Sequence, residues 1–234
     1  MQSALSNHFR GKRDAALRAL IARVARAGEG LRVLDLGGRA TYWQRLGFAW
    51  LADQGARITL LNLSEREFSQ VDDAPEGLFE NVIGNACALD FADKQFDLAH
   101  ANSVIEHVGL WHQMIDFAAE TRRIGRAYYV QTPNFWFPVD PHFWKLPFIH
   151  WLPRPARAML LRSFPLATAG RARDLGQAYG FADSNVLLTK GQMRYSFPEA
   201  EIVTERLLAL PKSFIAIHDG RSLAAQQTRE PDHG

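Results

Sequence analysis

Residues 31–38 read LRVLDLGG. The run from Leu31 to Leu36 is of buried-strand type, stops at two glycines and leads into TYWQRLGFAWLADQ (41–54), a helical stretch. Strand, glycine turn and helix in that order open a parallel α/β sheet, whose ligands gather at the carboxyl ends of the strands. Outward from this unit, RITLLNL (57–63) reads as a second strand. SEREFSQ (64–70) reads as a short helix with Ser64 as N-cap and Glu67 as its box partner. ENVIGNA (80–86) and FDLAHANS (96–103) give a third and a fourth strand, and a helix over 111–124 precedes a fifth, RAYYVQT (126–132), stopped by Pro133. AEIVTERLLAL (200–210) and KSFIAIH (212–218), separated by Pro211, suggest a terminal antiparallel pair. Upstream, Leu17, Leu20, Ile21, Val24 and Ala25 recur at helical spacing until Gly28 and Gly30, which predicts an N-terminal helix over 12–28. Strands separated by helices imply parallel crossovers, so the expectation is an α/β, doubly wound, seven-stranded sheet, mostly parallel with a terminal antiparallel hairpin.

The whole chain supports one such domain. At 234 residues, with 47% apolar and 22% charged side chains, it can bury a sizeable core, and disorder is excluded. A single domain over 1–221 and a flexible tail over 222–234 are expected. The net charge of +2 is too small for a protein whose main task is neutralising nucleic-acid phosphates. The charge is uneven, however: residues 1–50 carry nine basic and three acidic side chains, 51–120 three and thirteen, and 121–175 nine and two. Cys87 is the only cysteine. It excludes a disulfide framework and a thiolate-rich zinc site and suits a reducing cytoplasm, where it reads as a core side chain rather than a nucleophile. No apolar run reaches the length of a membrane span and the first residues lack a signal peptide's apolar stretch, so a cytoplasmic protein is expected.

After Pro133 the composition changes. Phe135, Trp136, Phe137, Phe143, Trp144, Phe148 and Trp151 crowd together, interrupted by Pro138, Pro141, Pro147 and Pro153. This reads as a helical, aromatic-rich insertion over 133–180. Three readings stand: a hydrophobic lid over an acceptor pocket, the core of a small helical subdomain, or, with Lys145, Arg154, Arg157 and Arg162, an aromatic-basic segment making peripheral membrane contact.

The glycine turn lacks the Gly-x-Gly-x-x-Gly of dinucleotide folds, since Arg39 and Tyr42 stand at the matching places, and no Gly-Lys-Ser/Thr sequence exists for ATP. The motif series resembles instead the class I S-adenosylmethionine-dependent methyltransferases, which have a Rossmann-like fold. VLDLGG matches their first motif, Asn62-Leu63 falls where an acid usually grips the ribose, GNA looks like their GDA adenine motif, and FDLAHANSVIEHV is similar to their FDLVxSxxVLEHV. The resemblance implies S-adenosylmethionine as cofactor and S-adenosylhomocysteine as product. It further implies that Asp35, Gly37 and Gly38 surround the methionine part, Asn62 and Leu63 the ribose, Asn85 and Ala86 the adenine, and that Asn102 lies near the transferable methyl. Two departures stand out: of the family's spaced glycines only the first is kept, and Asn62 replaces the acid, changes in which the chain resembles a related group with Leu-Asp-x-Gly-Gly and Leu-Asn-Leu.

Methyl transfer from a sulfonium is an in-line displacement that needs alignment and exclusion of water, so no metal is expected. A hydroxyl acceptor would need a base. The loop after strand five offers His142 as that base and Asp140 as its orienter, and His107 in the Glu106-His107-Val108 run is a third candidate against a packing role. The acceptor expected is a small molecule, with O-methylation of a glycan, lipid or secondary metabolite preferred. A nucleic-acid acceptor is disfavoured by the absence of an Asn-Pro-Pro-Tyr motif. The competing class is a catalytically silent binding module serving a protein partner.

Overall fold

The computed structural model describes residues 2–25, 30–69 and 71–220, with side chains from residue 10 onward. Gly28 and the tail at 222–234 lie outside the described residues. Strands β1 (Leu31–Leu36), β2 (Ala56–Asn62), β3 (Phe79–Ile83), β4 (Phe96–Asn102), β5 (Gly125–Pro133), β6 (Glu201–Leu207) and β7 (Leu210–His218) form one sheet in the order β3-β2-β1-β4-β5-β7-β6. All pairs are parallel except β5–β7 and β6–β7, which are antiparallel. The strand order reverses between β1 and β4, which opens a crevice at their carboxyl ends.

Helices cover both faces, and β1 shows why. Leu31 and Val33 point into a core with Leu17, Leu20 and Ile21 of α1 (Gln2–Val24), while Leu34 and Leu36 point into another with Phe117 and Ile124 of α4 (Trp111–Ile124). A strand buried on both faces reads as a continuous apolar run, as β1 does. The helix expected over 41–54 is two, α2 (Ala40–Gln44) and α3 (Phe48–Asp53), because Gly47 takes φ 84° between them. Helix α1 begins well before residue 12, since residues 2–12 offer only Leu5 and Phe9 as large apolar positions, too few for periodicity to detect. Ser64 opens only a 3₁₀ turn (Glu65–Glu67), and its hydroxyl bonds the Glu67 carboxylate instead of capping a backbone N–H. The hairpin of β6 and β7 turns at Leu208 and Ala209, so Pro211 lies inside β7, where the register shifts, and does not separate the strands.

Between β5 and β6 lie two 3₁₀ turns (Pro141–Phe143 and Ile149–Trp151) and helices α5 (Arg154–Ser163), α6 (Leu175–Asp183) and α7 (Lys190–Ser196). Phe143, Ile149, Leu161 and Ala182 make a small core of their own, and α6 continues past residue 180. Trp136, Trp144, Phe148 and Trp151 stay exposed, whereas Phe137 and Val139 face a cavity at the sheet edge. No helix among the described residues is long and apolar enough to cross a membrane.

Candidate functional site

The glycine turn after β1 is tied down by the residues it faces. Asp35 is only 2% exposed, with Oδ1 2.6 Å from His100 Nδ1 on β4 and Oδ2 accepting from Trp43 Nε1 on α2 at 2.7 Å. His100 stacks on Tyr129 of β5 and meets Trp43 edge-on. The carboxylate expected at the cofactor's methionine end therefore first fastens β1, β4 and α2 together, and it also borders the cavity described below. Gly37, at φ 65°, donates its N–H to Leu61 O at 2.7 Å, and a Cβ there would meet the Val104 side chain at 2.8 Å. A Cβ on Gly38 would fall on the Asp35 carboxylate itself.

Asn62 is buried, and its Nδ2 donates to Gly38 O at 2.9 Å. A carboxylate has no hydrogen to give at neutral pH, so the amide at the end of β2 and the second glycine of the turn work as one device. Asn62 Oδ1 remains as an acceptor for a ligand hydroxyl. Asn62→Asp, although it introduces the residue type usual in the methyltransferases that the motifs resemble, is expected to weaken S-adenosylhomocysteine binding roughly tenfold, because it leaves the Gly38 carbonyl facing an anion at a cost of about 1–3 kcal/mol. Calorimetric titration checks this, and equal or tighter binding by the variant would overturn the coupling.

Three cavities run along this edge. One of about 180 Å³ is lined by Gly37, Asn62, Leu63, Asn85, Ala86 and Val104. The next, about 440 Å³, contains Asp35, Gly37, Gly38, Tyr42, His100 and Asn102, and shares Gly37 and His107 with the first. The third, about 360 Å³, shares Tyr42, Asn102 and Ser103 with the second and is walled by Gln131, Phe137 and Lys212. All eight residues expected around the cofactor thus border the first two cavities. Asn85 also makes a turn, its Oδ1 accepting from Cys87 N at 3.0 Å. A larger cavity, about 650 Å³, lies at the opposite ends of β2 and β3 beside Gly55 and Phe79, away from these groups.

Ser103, at the tip of β4, takes φ 58°, an uncommon conformation for a residue with a side chain, and is held by Gln131, which accepts both its hydroxyl and its N–H at 2.9 Å. In the third cavity Arg13 pairs with Glu205 at 2.9 Å, and burial together with Arg13 pushes the Lys212 amine below its ordinary range.

The three candidates for acid–base chemistry come together. Asp140 is wholly buried; Oδ1 lies 2.7 Å from His142 Nδ1, and Oδ2 accepts from Asn185 Nδ2 at 2.9 Å. His142 Nε2 lies 3.0 Å from His107 Nε2, and His107 Nδ1 donates to Ser184 O at 2.8 Å. Burial alone would raise the Asp140 carboxyl, but the hydrogen bonds and charge of His142 hold it below its usual value. Burial likewise opposes charge on His142, yet Asp140 raises it; His107 is lowered by burial and by the neighbouring His142. Glu106 is wholly buried, with Oε2 accepting from Thr132 Oγ1 at 2.9 Å, and burial pushes its carboxyl up to about 7. His142 is therefore not a free-standing base: its outward nitrogen meets a second imidazole.

Several of these groups escaped the sequence reading. His100 had a signal, a polar residue set among Leu98, Ala99 and Ala101 of β4. Gln131 and Asn185 had none, since their partners lie far along the chain, and Trp43, eight residues from Asp35, reads as one more apolar residue of a helix.

A family model described as "Methyltransferase domain" matches residues 44–127. Two curated relatives, uncharacterised proteins of two strains of Mycobacterium tuberculosis (MT1557 and Rv1509), are each 29% identical over 126 residues, which is 51% of this chain. The chain spans 42% of the length of these relatives. Among solved structures, the PH0226 protein of Pyrococcus horikoshii is similar over 88% of this chain and 89% of that one, at 16% identity and a TM-score of 0.50. A Rhodobacter sphaeroides structure described as a candidate Zn-dependent alcohol dehydrogenase is similar over 86% and 88%, at 14% identity and 0.50. At such identities these two likenesses speak for the fold alone. The domain model matched from α2 to β5, together with the reversed terminal hairpin and the motif-bearing strand tips, is consistent with a class I S-adenosylmethionine-dependent methyltransferase.

Proposed function

We propose that the chain methylates an oxygen of a small-molecule acceptor, such as a glycan, lipid or secondary metabolite. The observation that carries this reading is the run of three adjoining cavities. The residues suit S-adenosylmethionine: the first cavity offers amides and apolar walls of nucleoside size, Gly37 and Gly38 leave room that a Cβ would fill, and Asn62 keeps one oxygen for a hydroxyl. When bound, the cofactor supplies an electrophilic methyl group. Asn62, Leu63, Asn85 and Ala86 would hold its nucleoside, and Asp35, Gly37, Gly38 and Asn102 its amino-acid end. The third cavity would receive the acceptor, with Phe137 and Val139 excluding water.

His142, oriented by Asp140 and adjoined by His107, is the proposed means of relieving the acceptor hydroxyl of its proton. His142→Ala is expected to lower turnover with a hydroxyl acceptor by roughly 10²-fold or more while S-adenosylhomocysteine binds as before. Unchanged turnover would remove the imidazole from the reaction. Incubation with methyl-labelled donor and a metabolite extract tests the function itself. No labelled product, together with no heat on titration with S-adenosylmethionine, would favour a catalytically silent module. The single cysteine leads us to propose a reducing cytoplasm as the compartment. The exposed Trp136, Trp144 and Trp151 beside Lys145 and Arg154 support peripheral contact with anionic lipid, which vesicle co-sedimentation would detect.

A further inference from the structure

We infer that His107, His142 and Glu106 form a divalent-cation site beside the cofactor groove, and that its open positions take the acceptor oxygen. The inference rests on the acceptor-activating role proposed above and gives it a different chemistry from the metal-free one expected of the sequence.

Hydrogen bonding sets the tautomers. His107 Nδ1 faces the Ser184 carbonyl at 2.8 Å, and a carbonyl only accepts, so the proton is on Nδ1 and the Nε2 lone pair is free of it. His142 Nδ1 faces the Asp140 carboxylate at 2.7 Å, which fixes a proton on Nδ1, so the neutral ring presents Nε2 as a lone pair. These two Nε2 atoms converge to 3.0 Å with their rings nearly perpendicular, at 87°. With both rings neutral, two lone pairs face each other at this distance and repel unless a proton or a cation lies between or beside them.

The third group supplies an independent reason. Glu106 is 0% exposed, and only Oε2 has a partner; Oε1 is buried with none. One of its carboxylate oxygens and the two imidazole nitrogens all lie within 4.8 Å of one another. An ionised carboxylate so placed costs several kcal/mol unless a cation compensates it. Behind His142 stands Asp140, itself bonded to Asn185, and behind His107 stands the Ser184 carbonyl. Carboxylates and carbonyls in this position orient metal-ligating histidines and raise their basicity.

The donor set also indicates the kind of ion. Two imidazoles and one carboxylate with open positions suit first-row divalent ions. Ligands about 2.1 Å from an ion and at right angles to each other lie about 3.0 Å apart, so the nitrogen separation fits six-coordination. His107 borders the first two cavities, and the second opens into the third past Asn102 and Ser103, so an acceptor reaching from the third cavity toward the methyl would approach the open positions. A cation bound there would acidify that hydroxyl directly, with the imidazoles as ligands.

Mn²⁺ alone is the probe, followed by calorimetry and by loss of the free ion's paramagnetic resonance signal, on the full chain without donor or acceptor. The expected result is one Mn²⁺ per chain, weakened at least tenfold by Glu106→Gln and by His142→Ala, with S-adenosylhomocysteine affinity unchanged within about twofold in both. Folded wild-type protein that binds S-adenosylhomocysteine but neither Mn²⁺ nor Co²⁺ would overturn the cation site and leave the methyltransferase reading standing. Mn²⁺ affinity indifferent to both substitutions would overturn it too. Mn²⁺ bound at this site by protein that takes no S-adenosylhomocysteine would support the site and count against the proposed function.

Discussion

Gly38→Ala is expected to abolish measurable S-adenosylhomocysteine binding and to destabilise the protein. The new Cβ would fall on the carboxylate of Asp35, which cannot step aside because Trp43 and His100 hold its two oxygens. Relief has to come from the backbone of the turn, and moving it breaks the Asn62 bond to Gly38 O, which shapes the nucleoside end of the groove. Overpacking of a tight site costs about 1–3 kcal/mol, and more where the obstructing group is fixed. Titration and thermal unfolding of the variant test this. Binding within a few-fold of the wild type would show that the turn moves freely and that the packing around Gly38 does not set the cofactor site.

The second large effect is expected from Asp35→Ala. It removes the acceptor for both Trp43 Nε1 and His100 Nδ1 in a region where neither meets solvent. Each buried donor left without a partner costs about 1–3 kcal/mol, so the loss is roughly 3–5 kcal/mol. For a chain of this length that lowers Tm by roughly 10 °C, at about 2–4 °C per kcal/mol. Asp35→Asn, which keeps one acceptor oxygen, should fall in between. The double substitution Asp35→Ala with Gly38→Ala should cost less than the two single costs together, because removing the carboxylate removes most of the obstruction. Strict additivity would mean that the two residues do not press on each other. A Tm within about 2 °C of the wild type for Asp35→Ala would show that the carboxylate is not the fastener of β1, β4 and α2.

Much of the fold was legible because its signals are local. The strand tips carrying Asp35, Asn62 and Asn102 could be placed from apolar runs ended by glycine, asparagine or serine, and β1 and α4 match the expected spans. Errors arose where one residue overrode a longer pattern. Gly47 splits a stretch whose apolar spacing is continuous, and Pro211 marks an irregular pairing inside β7 rather than the turn itself. The aromatic segment after β5 divides among three surroundings. Phe143 packs inside the insertion, Phe137 faces the groove and Trp144 is exposed, and composition cannot separate these because it carries no direction.

By itself the sequence determined the order of strands and helices, the glycine turn and the set of residues at the carboxyl edge, because periodicity and turn chemistry act between near neighbours. The tertiary structure alone decided what those residues do to one another. It turned Asp35 toward His100, gave Asn62 a glycine carbonyl to hold, and aimed His142 at His107 over 3.0 Å with Glu106 buried alongside. The physical reason is distance along the chain: these partners are tens of residues apart, and only the closing of the sheet and of the loop after β5 brings them within reach.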